Sequence, residues 1–131
     1  MAEGFGRKYG SDILIAASAG LSPATKIARD TIDAMDEKGI NIRDHFPKTI
    51  KHLGRAEFDL VINMSGAAIP AKLTGKAEVR AWEVEDPVML RYEEHCEIRD
   101  QIEKLVMTLI LELRRAESGS KAFGLGSGKS A

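Results

Sequence analysis

Asp86, Cys96 and the three histidines His45, His52 and His95 are the side chains in this sequence whose types could do chemistry. Asp86, set before Pro87, is an acid that could protonate a departing oxygen; read alone, Asp86-Pro87 is also an ordinary turn initiator. Cys96 is the only thiol. A thiolate is the nucleophile a phosphoryl or arsenyl centre would need. Cys96, however, lies inside a helical run flanked by Glu93, Glu94 and Glu97, whose charges oppose ionisation, so it reads as structural. His95 is its neighbour in sequence, but helical residues i and i+1 do not face each other. His45 and His52 could lie near the floor of a site or serve as capping or surface groups. The three histidines and the nearby carboxylates match no metal-ligand spacing, and neither a metal nor a cofactor is expected. Gly124-Leu125-Gly126-Ser127-Gly128-Lys129-Ser130 imitates a nucleotide-binding loop, but the required first glycine is replaced by Phe123.

The elements that must position these residues follow from hydrophobic spacing. The segment from Met1 to Phe5 reads as a helix with no strand before it. Ile13-Leu14-Ile15-Ala16-Ala17 is a short apolar run, expected as a strand buried on both faces and ending at Ser18-Ala19-Gly20. Ser22-Pro23 provides an N-cap and first-turn proline. Ala24, Ile27, Ala28, Thr31, Ile32 and Met35 then recur at helical spacing before the stop at Gly39. A shorter helix is expected from Pro47 to Gly54. Phe58 to Met64 is a second strand, and the segment around Pro70 is loop or irregular helix. Val79 to Val84, with Trp82, is a third strand. A long helix follows over Leu90 to Arg115, its apolar face built on Ile98, Ile102, Leu105, Val106, Leu109 and Leu113. Met107, Ile110 and Leu111 widen that stripe, which suggests a partner subunit.

Alternation of strands and helices implies an α/β domain with a parallel sheet and helices on both faces, a three-layer arrangement. Three strands are few for it, so the sheet reads as short, with one strand missing. Residues 1–116 form the domain, and 117–131 are expected to be a flexible Gly/Ser-rich tail. At 131 residues, 44% hydrophobic and 30% charged, the chain can bury one core. A net charge of −1 favours neither nucleic acid nor an anionic membrane. Glu3, Arg7, Lys8 and Asp12 interrupt any signal peptide. A single cysteine permits no internal disulfide and suits a reducing cytoplasm.

In order along the chain, these residues resemble the low-molecular-weight protein tyrosine phosphatases and the arsenate reductases built on the same fold. Met1-Ala2-Glu3-Gly4-Phe5 looks like the segment after that family's Cys-x5-Arg-Ser phosphate loop. Ser18-Ala19-Gly20 is similar to its Ser-Ala-Gly, and Gly39-Ile40-Asn41 with His45 to its Gly-Ile-Asp turn and histidine. Phe58 to Met64 resembles its Asp-hydrophobic-hydrophobic-x-Met strand, Asp86-Pro87 its Asp-Pro loop, and Arg99-Asp100-Gln101-Ile102 its Arg-Asp-x-Ile. The resemblance implies a four-stranded parallel sheet with the first strand central. It also implies a loop thiolate attacking phosphorus or binding arsenate, with Asp86 as general acid. Its substrate would be a phosphorylated protein or a small oxyanion, if the phosphate loop were present.

Two departures narrow this reading. Val88-Met89 follow the Asp-Pro pair where many tyrosine phosphatases place a tyrosine. Ser65-Gly66-Ala67-Ala68 holds none of the extra cysteines of the thioredoxin-coupled arsenate reductases, which excludes that relay. The nucleophile is absent, so the chain as given is expected to be an N-terminally truncated, catalytically inactive phosphatase-like protein. The alternatives are a catalytically dead dimeric binding or regulatory module and a single-cysteine arsenate reductase relative. A missing central strand would leave two unpaired strand edges, and such edges favour a homodimer.

Overall fold

The computed structural model describes residues 1–19, 27–45, 57–85, 90–119 and 127–130. Helix α1 spans Ala2–Gly10. Glu3 lies in its first turn and Arg7 and Lys8 in its last, each matched to the helix dipole. Ala2, Phe5 and Tyr9 share one face at helical spacing. The Phe5 and Tyr9 rings stack at 5.9 Å, and Phe5 is fully buried. The next strand, β1, covers Ala16–Ala19 rather than Ile13 to Ala17. The amides of Ile13 and Leu14 are spent on the Gly10 carbonyl, at 3.0 and 2.9 Å, closing the end of α1. This turn leaves Ile15 78% exposed instead of buried.

Helix α2 runs Arg29–Asp36. Ala28 is extended at φ −62°, ψ 144° and accepts from Thr31 and Ile32, so it caps the helix instead of continuing it. Ser22, Pro23 and Ala24 lie outside the described residues, as does the expected helix from Pro47 to Gly54. The stop at Gly39 has its expected cause. Its φ of 70° is left-handed, and the Ile40 amide returns 3.1 Å to the Met35 carbonyl, with Ile40 itself buried.

Strand β2 is Leu60–Asn63, the single turn α3 is Ala71–Thr74, and β3 is Glu78–Ala81. Trp82 falls one residue past β3, with its amide on the Asn63 carbonyl at 3.0 Å. The last helix, α4, extends over Tyr92–Gly119. Helices α1, α2 and α4 pack against one another, and their apolar faces form a core with the strands around Phe5, Met35, Ile62, Val106 and Ile110. Ile110, part of the widened stripe, is buried there by α1 and needs no partner subunit to cover it.

The sheet corrects the sequence reading. Its order is β1-β4-β2-β3, all parallel, and β4 is Ser127–Ser130 from the supposed flexible tail. Ser127 to Ser130 stand in register with Ala16 to Ala19 on one side and Leu60 to Asn63 on the other. The expected central gap is therefore filled from within the chain, and β1 and β2 do not present unpaired inner edges. Ladder hydrogen bonds come from the backbone, so a segment without apolar residues can supply them. Composition alone is blind to this.

Candidate functional site

In open parallel sheets, ligands bind beyond the carboxyl ends of the strands. Here that edge carries Ala19, Ser130 and Asn63 at one level. The start of α1 reaches the same edge, because Ser18 near the end of β1 donates its hydroxyl to the Glu3 carboxylate. Glu3 is only 4% exposed. A buried carboxylate requires compensation. It has that from Ser18 and from Arg7 one turn on, whose guanidinium lies 2.8 Å from it. Arg7 also donates to the Ala16 carbonyl at 3.4 Å. The Glu3–Ser18–Arg7 group thus fixes the amino end of α1 to β1.

His45 stands beside this group. Burial pushes its imidazole below the usual histidine value, while the Glu3 carboxylate works against that and Arg7 with it. Across the sheet, Asn63 organises the turn after β2. Its side-chain carbonyl accepts the Ser65 amide at 3.0 Å and the Ser65 hydroxyl at 2.6 Å, and its amide donates to the Ala67 carbonyl at 2.6 Å. Gly66 supplies the positive φ of 75° that the turn requires.

Of the side chains singled out from the sequence, His45 is at this edge. Asp86 and His52 lie outside the described residues. Cys96 is elsewhere: half-buried on α4, its Sγ 3.6 Å from Glu37 at the carboxyl end of α2. The topology sets that end of α2 away from the strand carboxyl ends, since α2 returns from the end of β1. The Cys96 thiol is held above its ordinary value, chiefly by burial; Arg99 opposes this and Glu37 adds to it. The direction matches the sequence reading, but the flanking glutamates are not the cause. His95 is buried at 3% exposure with Nδ1 unbonded, so it does not serve Cys96. No group of three or more His, Cys, Asp or Glu residues suited to a metal occurs among the described residues.

Sequence reasoning missed Glu3, Arg7 and Asn63 as organisers of this edge. The only available signal was the Glu3–Arg7 spacing of four, which on a helix usually marks a solvated pair. Asn63 had a weaker one, as the polar residue ending an apolar strand.

The comparisons with known proteins agree with this fold. Residues 1–119 match the low molecular weight phosphotyrosine protein phosphatase family. The chain belongs to that family. A glutaredoxin arsenate reductase of Synechocystis sp. is 27% identical over 115 residues, covering 86% of this chain and 87% of the relative. A putative arsenate reductase of Halobacterium salinarum is 26% identical over 95 residues, covering 72% and 66%. Among solved structures, an arsenate reductase in the phosphate binding state superposes with a TM-score of 0.76 at 26% identity, covering 86% of each chain. A reduced-state arsenate reductase gives 0.74 at 27%, covering 85% of this chain and 86% of that one. As a family member the chain has the short parallel sheet with helices packed on it that the sequence resemblance implied. No helix among the described residues is long and apolar enough to cross a membrane.

Proposed function

We propose that this chain is an arsenate reductase relative whose oxyanion end is the strand edge at Glu3, Ser18 and His45. We propose further that the 131 residues given do not themselves turn over arsenate or phosphate esters. One observation carries this second half. The only thiol, Cys96, is packed against the far end of α2 and is harder to ionise than a free cysteine. Attack on arsenic or phosphorus needs a thiolate at the oxyanion, with convergent donors around it. The similarity of the relatives named as arsenate reductases favours arsenate over a phosphoprotein as the family substrate. The absence of a tyrosine after Asp86-Pro87 favours it too.

Reducing arsenate to arsenite takes two electrons. Without the extra cysteines of the thioredoxin-coupled enzymes, a reductase built on this scaffold draws them from two external thiols, which leave as a disulfide, in a reducing cytoplasm. Asp86 keeps the general-acid role that the resemblance implies, and it acts only where a nucleophile is present.

The test measures arsenate reduction with glutathione and glutaredoxin as electron donors, alongside hydrolysis of an aryl phosphate. Both rates are expected at background and unchanged by Cys96→Ser or Asp86→Asn. Turnover above background that disappears in Cys96→Ser would overturn the reading of Cys96. Turnover that survives it would place a nucleophile elsewhere.

A further inference from the structure

The sheet ends on β3, which pairs with β2 on one side only. Among the described residues no strand lies along its other side. The Glu78 amide donates to the Asp59 carbonyl at 3.1 Å, and the Trp82 amide to the Asn63 carbonyl at 3.0 Å. Backbone groups alternate in direction along a strand, so the even-numbered residues face β2 and the odd-numbered ones face outward. Two local bonds bound this open stretch. The Ala77 amide returns to the Thr74 carbonyl at 3.1 Å, and the Glu83 carbonyl accepts from the Gln101 side chain at 3.3 Å. Between them the Ala77 carbonyl and both backbone groups of Val79 and Ala81 face outward with no partner among the described residues. Such an edge is a template for a further strand. Neither a proline nor a break in register blunts it, and Val79 is 47% exposed on it.

The side chains name the strand that fits. Glu78 and Arg80 share one face of β3, bridged at 2.5 Å, and Glu112 of α4 holds Arg80 on that face at 2.7 Å. Val79 lies on the opposite face, flanked by Ala77 and Ala81. When two copies of a strand pair antiparallel about a two-fold axis normal to the sheet, each face is kept and outward residues meet outward residues. The axis must then pass through a residue, and three positions keep the body of β3 paired. An axis at Glu78 sets that carboxylate against its own copy, and one at Arg80 does the same with the guanidinium groups. Like charges directly opposite destabilise a strand pair. An axis at Val79 sets Glu78 of each copy opposite Arg80 of the other and Val79 against Val79. Of the three, this register alone brings opposite charges together.

We infer that β3 pairs with β3 of a second copy, antiparallel about Val79, so that two sheets join into one across a two-fold axis. The occupant is a second copy because the charge order of the edge is complementary to itself in that register. Each Val79 amide then donates to the Val79 carbonyl of the other copy, and each Ala81 amide to the Ala77 carbonyl. The Ala77 amide, already spent on Thr74, ends the ladder. Exposed ion pairs contribute little affinity each. Backbone pairing and burial of Val79 therefore drive association, and the Glu78–Arg80 pairs fix its register. The interface is isologous, as two-fold dimers require. It is independent of the oxyanion reading, since it uses none of Glu3, Ser18 and His45.

Light scattering coupled to gel filtration, over a concentration series reaching roughly 100 µM, should show a concentration-dependent dimer. Val79→Pro is expected to abolish it. The ring removes an outward amide and no bond to β2, so the circular dichroism should stay unchanged. Glu78→Arg and Arg80→Glu should each weaken self-association by roughly tenfold or more at low salt. Mixing those two variants should restore a dimer. One copy then carries bases at both positions and the other carries acids at both, so every facing pair is again of opposite charge. In a Cys96→Ser background, Val79→Cys should cross-link two copies under mild oxidation. Ala81→Cys should not, because Ala81 faces Ala77 rather than its own copy. A wild-type monomer throughout the series overturns the inference and leaves the edge to a strand from another protein. So does a dimer that Val79→Pro and both charge reversals leave intact, or one that cross-links through Ala81→Cys instead of Val79→Cys.

Discussion

Glu3 is the residue on which the start of α1 depends. At 4% exposure its carboxylate is compensated by the Ser18 hydroxyl and the Arg7 guanidinium. Glu3→Gln keeps the shape but removes the charge, and is expected to cost about 1–3 kcal/mol, read as a lower midpoint of thermal unfolding. An unchanged midpoint would show that the group does not anchor α1. His45 contributes a pH dependence whose sign follows from burial. Its folded-state pKa lies below the unfolded value near 6.5, so just below that pH the unfolded chain binds more protons. Stability should therefore fall as pH drops through about 6.5, and His45→Gln should flatten that fall in denaturant titrations across the range. A steeper fall in the variant would reverse the assignment. The sequence made His45 visible through a resemblance. It could not reveal Glu3, because only the packing of α1 on β1 turns a routine helical Glu–Arg pair into a buried one.

At the scale of elements, close approach and backbone pairing matter more than composition. Gly10 is where α1 meets α4: a Cβ there would lie 3.0 Å from Ile110 Cδ1 and 3.2 Å from Leu14. Gly10→Ala is expected to destabilise the chain by about 1–3 kcal/mol through overpacking, again by thermal melt. A stabilised variant would mean that α1 can move away freely. Strand β4 makes the second case. Gly128 pairs with Ala17 and Val61, and Gly128→Pro removes its amide from the centre of the sheet. Hydrogen-exchange protection of the β1 and β2 amides should then fall roughly tenfold or more; unchanged protection would show that β4 does not hold the two strands together. Apolar runs made β2, β3 and α4 legible in advance to within a few residues. Strand β4 was not legible, since Ser127-Gly128-Lys129-Ser130 reads as linker by every side-chain criterion. Strand β1 shifted because a helix terminus drew on the amides of the apolar run.

For the whole molecule, fold and family were readable because the resemblance rests on motifs distributed over most of the chain, and residues 1–119 match the family. The packing of α4 was readable only in part. The wide stripe on α4 was evident, but Ile110 turned inward against α1 while Leu111 stayed exposed. Only the three-dimensional packing separates the two. The proposed inactivity turns on the only thiol being remote from the oxyanion edge and reluctant to ionise. Both properties are read together by the rate of Cys96 alkylation with iodoacetamide as a function of pH, with and without excess arsenate. Slow labelling, an apparent pKa above that of a free cysteine and no protection by arsenate are expected. Rapid labelling near neutral pH that arsenate suppresses would contradict the assignment.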